Sequence, residues 1–374
     1  VTLFDENTTV EPAPRQRWGR RTTAGAWAVC VALIVLLVIS FLPTAYVIQQ
    51  KGPVYNTLGT AQNADGEDVP LISIEDAETY PTAGSLDLLT VQVVGNRERT
   101  PSWYELAAAW FDPSRAVVPI DSIFPAGQTT EQRNQDSVRL MVDSQKEATA
   151  AALNELGYDV ETHPSVYSVS PGSAADGLLE NGDLILTVDG EPASQLTDVS
   201  DRIAAGGGDP VEMTIERSGQ EQAVEITPRQ EDVNGEQRWI VGIQLMTDFD
   251  FPIDVDLQLN NVGGPSAGMM FALGIIDVLT PGELNGGQQV AGTGTIDAKG
   301  VVGPIGGIRQ KLYGAKNAGA QYFLAPATNC NEVVGHVPDG LRVFSVAELD
   351  DSLAVLDAIR DGGDLDALAT CEAS

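Results

Sequence analysis

The longest apolar run in the chain is AGAWAVCVALIVLLVISFLPTAYVI, residues 24–48, which contains no charged side chain. At ~1.5 Å rise per residue it is long enough to cross a bilayer as a helix. The pattern therefore predicts one transmembrane helix over 24–48, preceded by a tail, 1–23. Arg15, Arg17, Arg20 and Arg21 ahead of the run predict a cytoplasmic N-terminus and place everything after Gln50 on the other side. A cleaved signal peptide, processed near Pro43-Thr44-Ala45, is the rival reading. The run exceeds the about 7–15 residues of a signal core, which favours the anchor. Residues 49–83 are polar and mixed and read as a membrane-exit linker.

Strand composition begins at Leu86–Val94. Trp103–Phe111 follows Thr100-Pro101-Ser102 and predicts a short amphipathic helix, and Ala116–Phe124 a short strand or buried turn. Thr130–Leu156 carries Val138, Leu140, Met141, Val142, Ala148, Ala151, Ala152 and Leu153 at helical spacing with no proline, and Gly157-Tyr158 ends it. Ser144 on this helix is expected to face solvent. A cluster of short strands and turns fills 163–230: Val166–Val169, the Pro171–Leu178 turn, Leu184–Gly190, a helix over Val199–Ala204, then Val211–Arg217 and Glu221–Pro228. The Asn234-Gly235 turn leads to strands at Trp239–Ile243 and Val255–Leu259. Beyond these come an apolar helix from Met269 to Leu279, a tight hairpin from Thr293 to Pro304 and a helix carrying Lys311. Strands at Gln321–Pro326 and Leu341–Val346, a helix over Leu349–Ile359 and a frayed acidic tail over 361–374 complete an α/β order.

Composition narrows the chemistry. Fifty-three acidic against 21 basic residues give a formal charge of -32, which repels nucleic acid and discourages a broad contact with anionic lipid. Two histidines, His163 and His336, stand in no motif, so a Ser-His-Asp site is poorly supplied. No zinc motif occurs, and three cysteines make no metal or disulfide signature; Cys330 and Cys371 have a spacing that neither demands nor forbids pairing. No Gly-x4-Gly-Lys-Ser/Thr phosphate loop occurs, so neither ATP nor any other cofactor is called for.

The candidate chemistry sits in Gly264-Pro265-Ser266-Ala267-Gly268, directly ahead of the apolar helix. A serine at a helix start is most simply a cap or a turn residue. It also lies where free backbone N–H groups stabilise developing negative charge. Lys311, in Pro304-Ile305-Gly306-Gly307-Ile308-Arg309-Gln310-Lys311, is a candidate base among small and apolar neighbours.

These motifs resemble the proteolytic domain of the Lon family of serine proteases, which use a Ser-Lys dyad. Gly-Pro-Ser-Ala-Gly stands unchanged at 264–268, the lysine run falls on Pro304–Lys311, and the family's Thr-Gly falls on Thr293-Gly294. The resemblance covers roughly 245–360; Val262-Gly263 replaces the family's Lys-Asp ahead of the serine. Residues 163–230 resemble a PDZ domain, and the combination resembles membrane-anchored, PDZ-containing Lon-like proteins. The resemblance implies an α/β chain in which a Lon-type proteolytic domain, formed from 84–160 and 235–360, holds an inserted PDZ domain and follows one transmembrane helix.

It further implies an ATP-independent serine endopeptidase acting on unfolded or extended extracytoplasmic polypeptides, single-pass in the cell membrane and assembled as a homo-oligomeric ring. Ser266 and Lys311 would be catalytic, with Gly264, Ala267 and Thr293 as oxyanion or supporting residues. Val166, Tyr167, Ser168, Val169, Val199 and Ile203 would bind peptide in the PDZ domain, whose carboxylate-holding loop would lie just before Val166. The alternative is a non-catalytic membrane-tethered PDZ scaffold or chaperone-like peptide-binding protein.

Overall fold

The computed structural model describes residues 19–372 apart from 41, 63–65, 126, 128, 234–235 and 260–261. The tail before residue 19 and the Asn234-Gly235 turn lie outside the described residues. The chain divides into two compact units, one of residues up to 48 with 93–126, the other of 49–92 with 127–374.

The apolar run 24–48 does not form one helix. Arg20–Ser40 is helical, and from Tyr46 the chain is a strand, Tyr46–Asn56. Val47 and Ile48 are buried in the core of the smaller unit, at 0% and 3% exposure. Only residues 24–40 of the apolar run are helical, about 17 residues or ~26 Å, short of the roughly 20 residues that span a ~30 Å hydrocarbon layer. No helix among the described residues is long and apolar enough to cross a membrane. That overturns the expected span over 24–48, the membrane attachment through it and the single-pass topology. The segment expected as a linker likewise carries most of the strand Tyr46–Asn56.

In the smaller unit, Ile120 donates its N–H to the Ala45 carbonyl (2.9 Å), and Val47 packs with Ile120 and Phe124. Ile48 packs with Leu106 and Ala109 of the helix Trp103–Trp110. Ser102 starts that helix by reciprocal bonds with Glu105, satisfying donors that the first turn leaves open.

In the larger unit, a sheet runs in the order Arg342–Val346, Tyr322–Pro326, Gln289–Gly292 and Ser85–Val94, then Tyr46–Asn56. The first three pairings are parallel. Strands from both sides of 163–230 in sequence thus share one sheet. The helix Gly268–Leu279 is apolar on every face apart from Asp277, and every residue from Gly268 to Asp277 is buried, the expected signature of a helix enclosed on all faces. Its core includes Met141, Ala148, Ala151 and Ala152 of the long helix Thr130–Glu155. Thr129 and Gln132 cap that helix reciprocally. Ser144 shares its buried stripe and is 4% exposed, not solvent-facing as expected. The helix Ile308–Ala318 brings Ile308 and Leu312 into a second core with Phe323 and Val343.

A second sheet orders Gln220–Ile226, Val211–Arg217, Leu184–Val188, Glu161–Val169 and Ile243–Asp250, with the helix Leu196–Ala205 buried on it through Val199 and Ile203. Its closing strand, Ile243–Asp250, lies beyond residue 230, where the sequence pattern ended the domain. The acidic C-terminus is tied down: a disulfide joins Cys330 to Cys371, and the Ser345 N–H donates to the Ala369 carbonyl (2.9 Å).

Candidate active site

Ser266 sits on the turn that enters the buried helix Gly268–Leu279. Gly264 takes φ +90°, a left-handed conformation that glycine adopts without a Cβ clash. Its N–H donates to the Ser137 carbonyl (2.8 Å), tying the turn to the long helix. The other side of the turn is held by Thr293-Gly294. The Gly294 N–H (3.0 Å) and the Thr293 hydroxyl (2.9 Å) both donate to the Ser266 carbonyl. The Gly294 carbonyl accepts from the Met269 N–H (3.1 Å).

Lys311 projects from the first turn of Ile308–Ala318. Gly307 precedes it at φ +70°, and a Cβ there would come within 2.7 Å of Val91 Cγ2, so glycine is required on both counts. Two residues further back, Ile305 is clamped by the buried Asn329 side chain. Asn329 Oδ1 accepts the Ile305 N–H (2.9 Å), and Nδ2 donates to the Ile305 carbonyl (3.0 Å). Nothing in the local pattern around Asn329 signals this contact across 24 residues.

The two turns bring Lys311 Nζ to 2.8 Å from Ser266 Oγ and 2.8 Å from Thr293 Oγ1. Lys311 is 2% exposed, and burial alone lowers its ammonium from the usual 10.5 to about 7. Ser266 and Lys311 line a cavity of about 480 Å³ together with Tyr55, Leu88, Met141 and Val262. A neutral amine in contact with a half-buried hydroxyl, opening onto a cleft, can accept that hydroxyl's proton.

Among the other expected site residues, Ala267 is buried directly beside Ser266 and lines the cavity. The Gly264 N–H is committed to Ser137, so it is not available to an oxyanion. The expected peptide-binding set divides between core and partly exposed positions. Val166, Val199 and Ile203 are core residues at 1%, 0% and 5% exposure. Ser168 donates to Gln244 Oε1 (3.0 Å), Val169 pairs with Ile243, and the Tyr167 ring lies under the Arg139 guanidinium (4.5 Å). The residues before Val166 are interior to the strand Glu161–Val169, which is paired on both sides. On that side of the sheet the edge strand is Ile243–Asp250, and strand addition needs an edge. Alternation of polar and apolar residues marks both as strands but does not say which ends outermost.

A model of the Lon protease (S16) C-terminal proteolytic domain matches residues 250–358, and a PDZ domain model matches 165–217. The chain is 37% identical to the Lon protease of Lachnoclostridium phytofermentans over 93 residues, covering 24% of this chain and 11% of that protein. It is 36% identical to Lon protease 2 of Herpetosiphon aurantiacus over 110 residues, covering 28% of this chain and 13% of that protein. A solved PDZ domain, from the SdrC-like protein of Listeria monocytogenes, is 26% identical with a TM-score of 0.21, covering 22% of this chain and 86% of that one. The chain thus matches only about a tenth of the length of these two Lon proteases. Within that span, the C-terminal part is related to the Lon protease family.

Proposed function

We propose that this chain is a serine endopeptidase that cleaves unfolded or extended polypeptides, with Ser266 as nucleophile and Lys311 as general base. The observation that carries the reading is the 2.8 Å contact between Lys311 Nζ and Ser266 Oγ, at a lysine whose burial makes it largely neutral above about 7.

Ser266 Oγ attacks the scissile carbonyl carbon and its proton passes to Lys311 Nζ. The resulting oxyanion is received by backbone N–H groups at the start of the buried helix. Lys311 then gives the proton to the departing amine, which leaves an acyl-enzyme. Water, deprotonated in turn by Lys311, releases the carboxylic product and regenerates the hydroxyl. Thr293 holds Nζ on its second side and the Ser266 carbonyl at once, so it orients base and nucleophile relative to each other. The chemistry consumes water and no nucleotide, which suits substrates that need no unfolding.

The test is labelling by a serine-directed peptide boronate or phosphonate, together with cleavage of an internally quenched peptide, in the wild-type chain, Ser266→Ala and Lys311→Met. Loss of cleavage in both variants supports the reading. Cleavage that survives Ser266→Ala overturns it, and peptide binding without turnover in the wild type would favour a non-catalytic peptide-binding protein.

A further inference from the structure

The turn that carries Ser266 is held from behind by a side chain with no part in the proton transfer. Ser144, in the middle of the long helix Thr130–Glu155, donates its hydroxyl to the Pro265 carbonyl (2.9 Å), 121 residues away in sequence. A serine or threonine inside a helix ordinarily returns its hydroxyl to the carbonyl four residues back. Thr149, one turn further along the same helix, does this, donating to the Gln145 carbonyl (2.9 Å). Ser144 is 4% exposed and points across to the turn.

The Pro265 carbonyl belongs to the same peptide unit as the Ser266 N–H. No peptide bond in the described chain is cis, and in a trans unit the C=O and N–H point in opposite directions. Fixing the Pro265 carbonyl against Ser144 therefore fixes the Ser266 N–H facing away from it. That N–H has no acceptor among the described residues, and Ser266 lines the cavity. The only other donor to the carbonyl among the described residues is the Gly268 N–H, at a long 3.4 Å. Without the hydroxyl, the Pro265 carbonyl keeps only that long bond, and its peptide plane is held through the neighbouring units alone.

We propose that Ser144 is a positioning residue: through the Pro265 carbonyl it sets the direction of the Ser266 N–H, the donor that meets the oxyanion. The inference rests on Ser266 being the nucleophile. It separates Ser144 from residues that hold the fold, because an oxyanion donor acts on the transition state and not on substrate binding or on the base.

The experiment uses the full chain with Ser144→Ala and Ser144→Cys, whose thiol is a weaker donor of similar size. Ser144→Ala is expected to lower kcat by about 10–100-fold, with KM within about twofold of wild type and the pH midpoint near 7 unmoved. Affinity for a peptide boronate, whose tetrahedral adduct uses the same donor, should fall in step with kcat, and Ser144→Cys should lie between. If Ser144→Ala does not melt cooperatively, Ser144→Cys carries the comparison under the same criteria. A wild-type kcat, a loss confined to KM, a moved pH midpoint or an unchanged boronate affinity would overturn the proposal. Ser266→Ala separates the two levels: residual cleavage there defeats the nucleophile reading, whereas a silent Ser266→Ala beside a fully active Ser144→Ala defeats the role of Ser144 alone.

Discussion

The buried helix Gly268–Leu279 has an ionisable side chain hidden at each end, and the two ends put the same physics to different use. Lys311 reaches the Ser266 turn just before the helix at 2% exposure, and Asp277 lies near its last turn at 0%. Desolvation pushes each toward its neutral form, Lys311 down to about 7 and Asp277 up to about 6. Lys311 Nζ contacts two hydroxyls and borders a cavity. Asp277 Oδ1 accepts the Leu284 N–H (2.7 Å), closing the loop after the helix, while its Oδ2 has no hydrogen-bond partner among the described residues. A shift toward the neutral form by burial is common to both, so it does not distinguish the two ends. The partners and the access to a cleft do that.

The sharpest test of this contrast is turnover. Ser266→Ala and Lys311→Met should each lower kcat/KM for a quenched peptide by on the order of 10³-fold or more, because nucleophile and base act as a unit. Asp277→Asn should stay within about twofold of wild type. A comparable loss in Asp277→Asn would break the comparison by making the far end part of the machinery. Next in size is the pH profile. The base must be neutral, so activity should rise with pH through about 7 and level off above it. Asp277→Asn should leave that midpoint in place; a rate flat from about pH 5 to 9 would mean that Lys311 does not titrate where its burial places it.

A third test reads stability. The unfolded lysine titrates near 10.5 and the folded one near 7, so the unfolded state binds more protons between these values. The cost of burying Lys311 is therefore largest below about 7 and fades as pH rises toward 10.5. Lys311→Met removes that cost but leaves the Ser266 and Thr293 hydroxyls without their shared partner, at ~1 kcal/mol each. The full shift corresponds to ~5 kcal/mol, and the net gain should be on the order of 1–3 kcal/mol at pH 7, shrinking toward pH 10. A melting temperature no higher than wild type at pH 7 would show that the lysine is not strained by burial.

The two ends also differ in how far the sequence exposes them. Gly264–Gly268, Thr293-Gly294 and Pro304–Lys311 are contiguous motifs, so their residues were nameable before any fold was known. Asn329 and Ser144 act on those motifs from 24 and 121 residues away, and only packing makes the connection. Ser144 did leave a trace: it lies three residues after Met141 and four before Ala148, on the stripe that is buried. A stripe defined by apolar residues alone passes over a polar member. The run 24–48 shows the opposite failure. Hydropathy reports that residues avoid water but not what covers them, and Val47 and Ile48 are covered by Ile120, Phe124, Leu106 and Ala109. The same blindness applies to the edge strand Ile243–Asp250, whose outer position depends on the order of pairing.

The smallest expected effect lies at Asp277. Its burial raises the carboxyl to about 6, opposed by the Leu284 N–H and assisted by nearby Glu283, while the unfolded value is 3.8. The folded state therefore holds more protons between these values, and the stability this group contributes is present below about 3.8 and lost as pH rises past 6. Asparagine is neutral at every pH and keeps an oxygen for the Leu284 N–H, although its amide nitrogen inherits the unpartnered position. Replacing the charge should relieve up to ~3 kcal/mol above pH 6, and the unpartnered amide should take back ~1–3 kcal/mol of it. The net effect is a gain of roughly 1 kcal/mol at pH 8, or a rise of about 1–3 °C in Tm. Measured in a Ser266→Ala background to suppress self-cleavage, the difference in Tm between Asp277→Asn and its parent should be zero or negative near pH 4 and climb to positive values through about pH 6. A difference that does not change with pH would mean the carboxyl is already ionised or already solvated in the folded chain. Burial would then shift the lysine end of the helix and not the aspartate end, and the distinction between the two would lie in solvation as well as geometry.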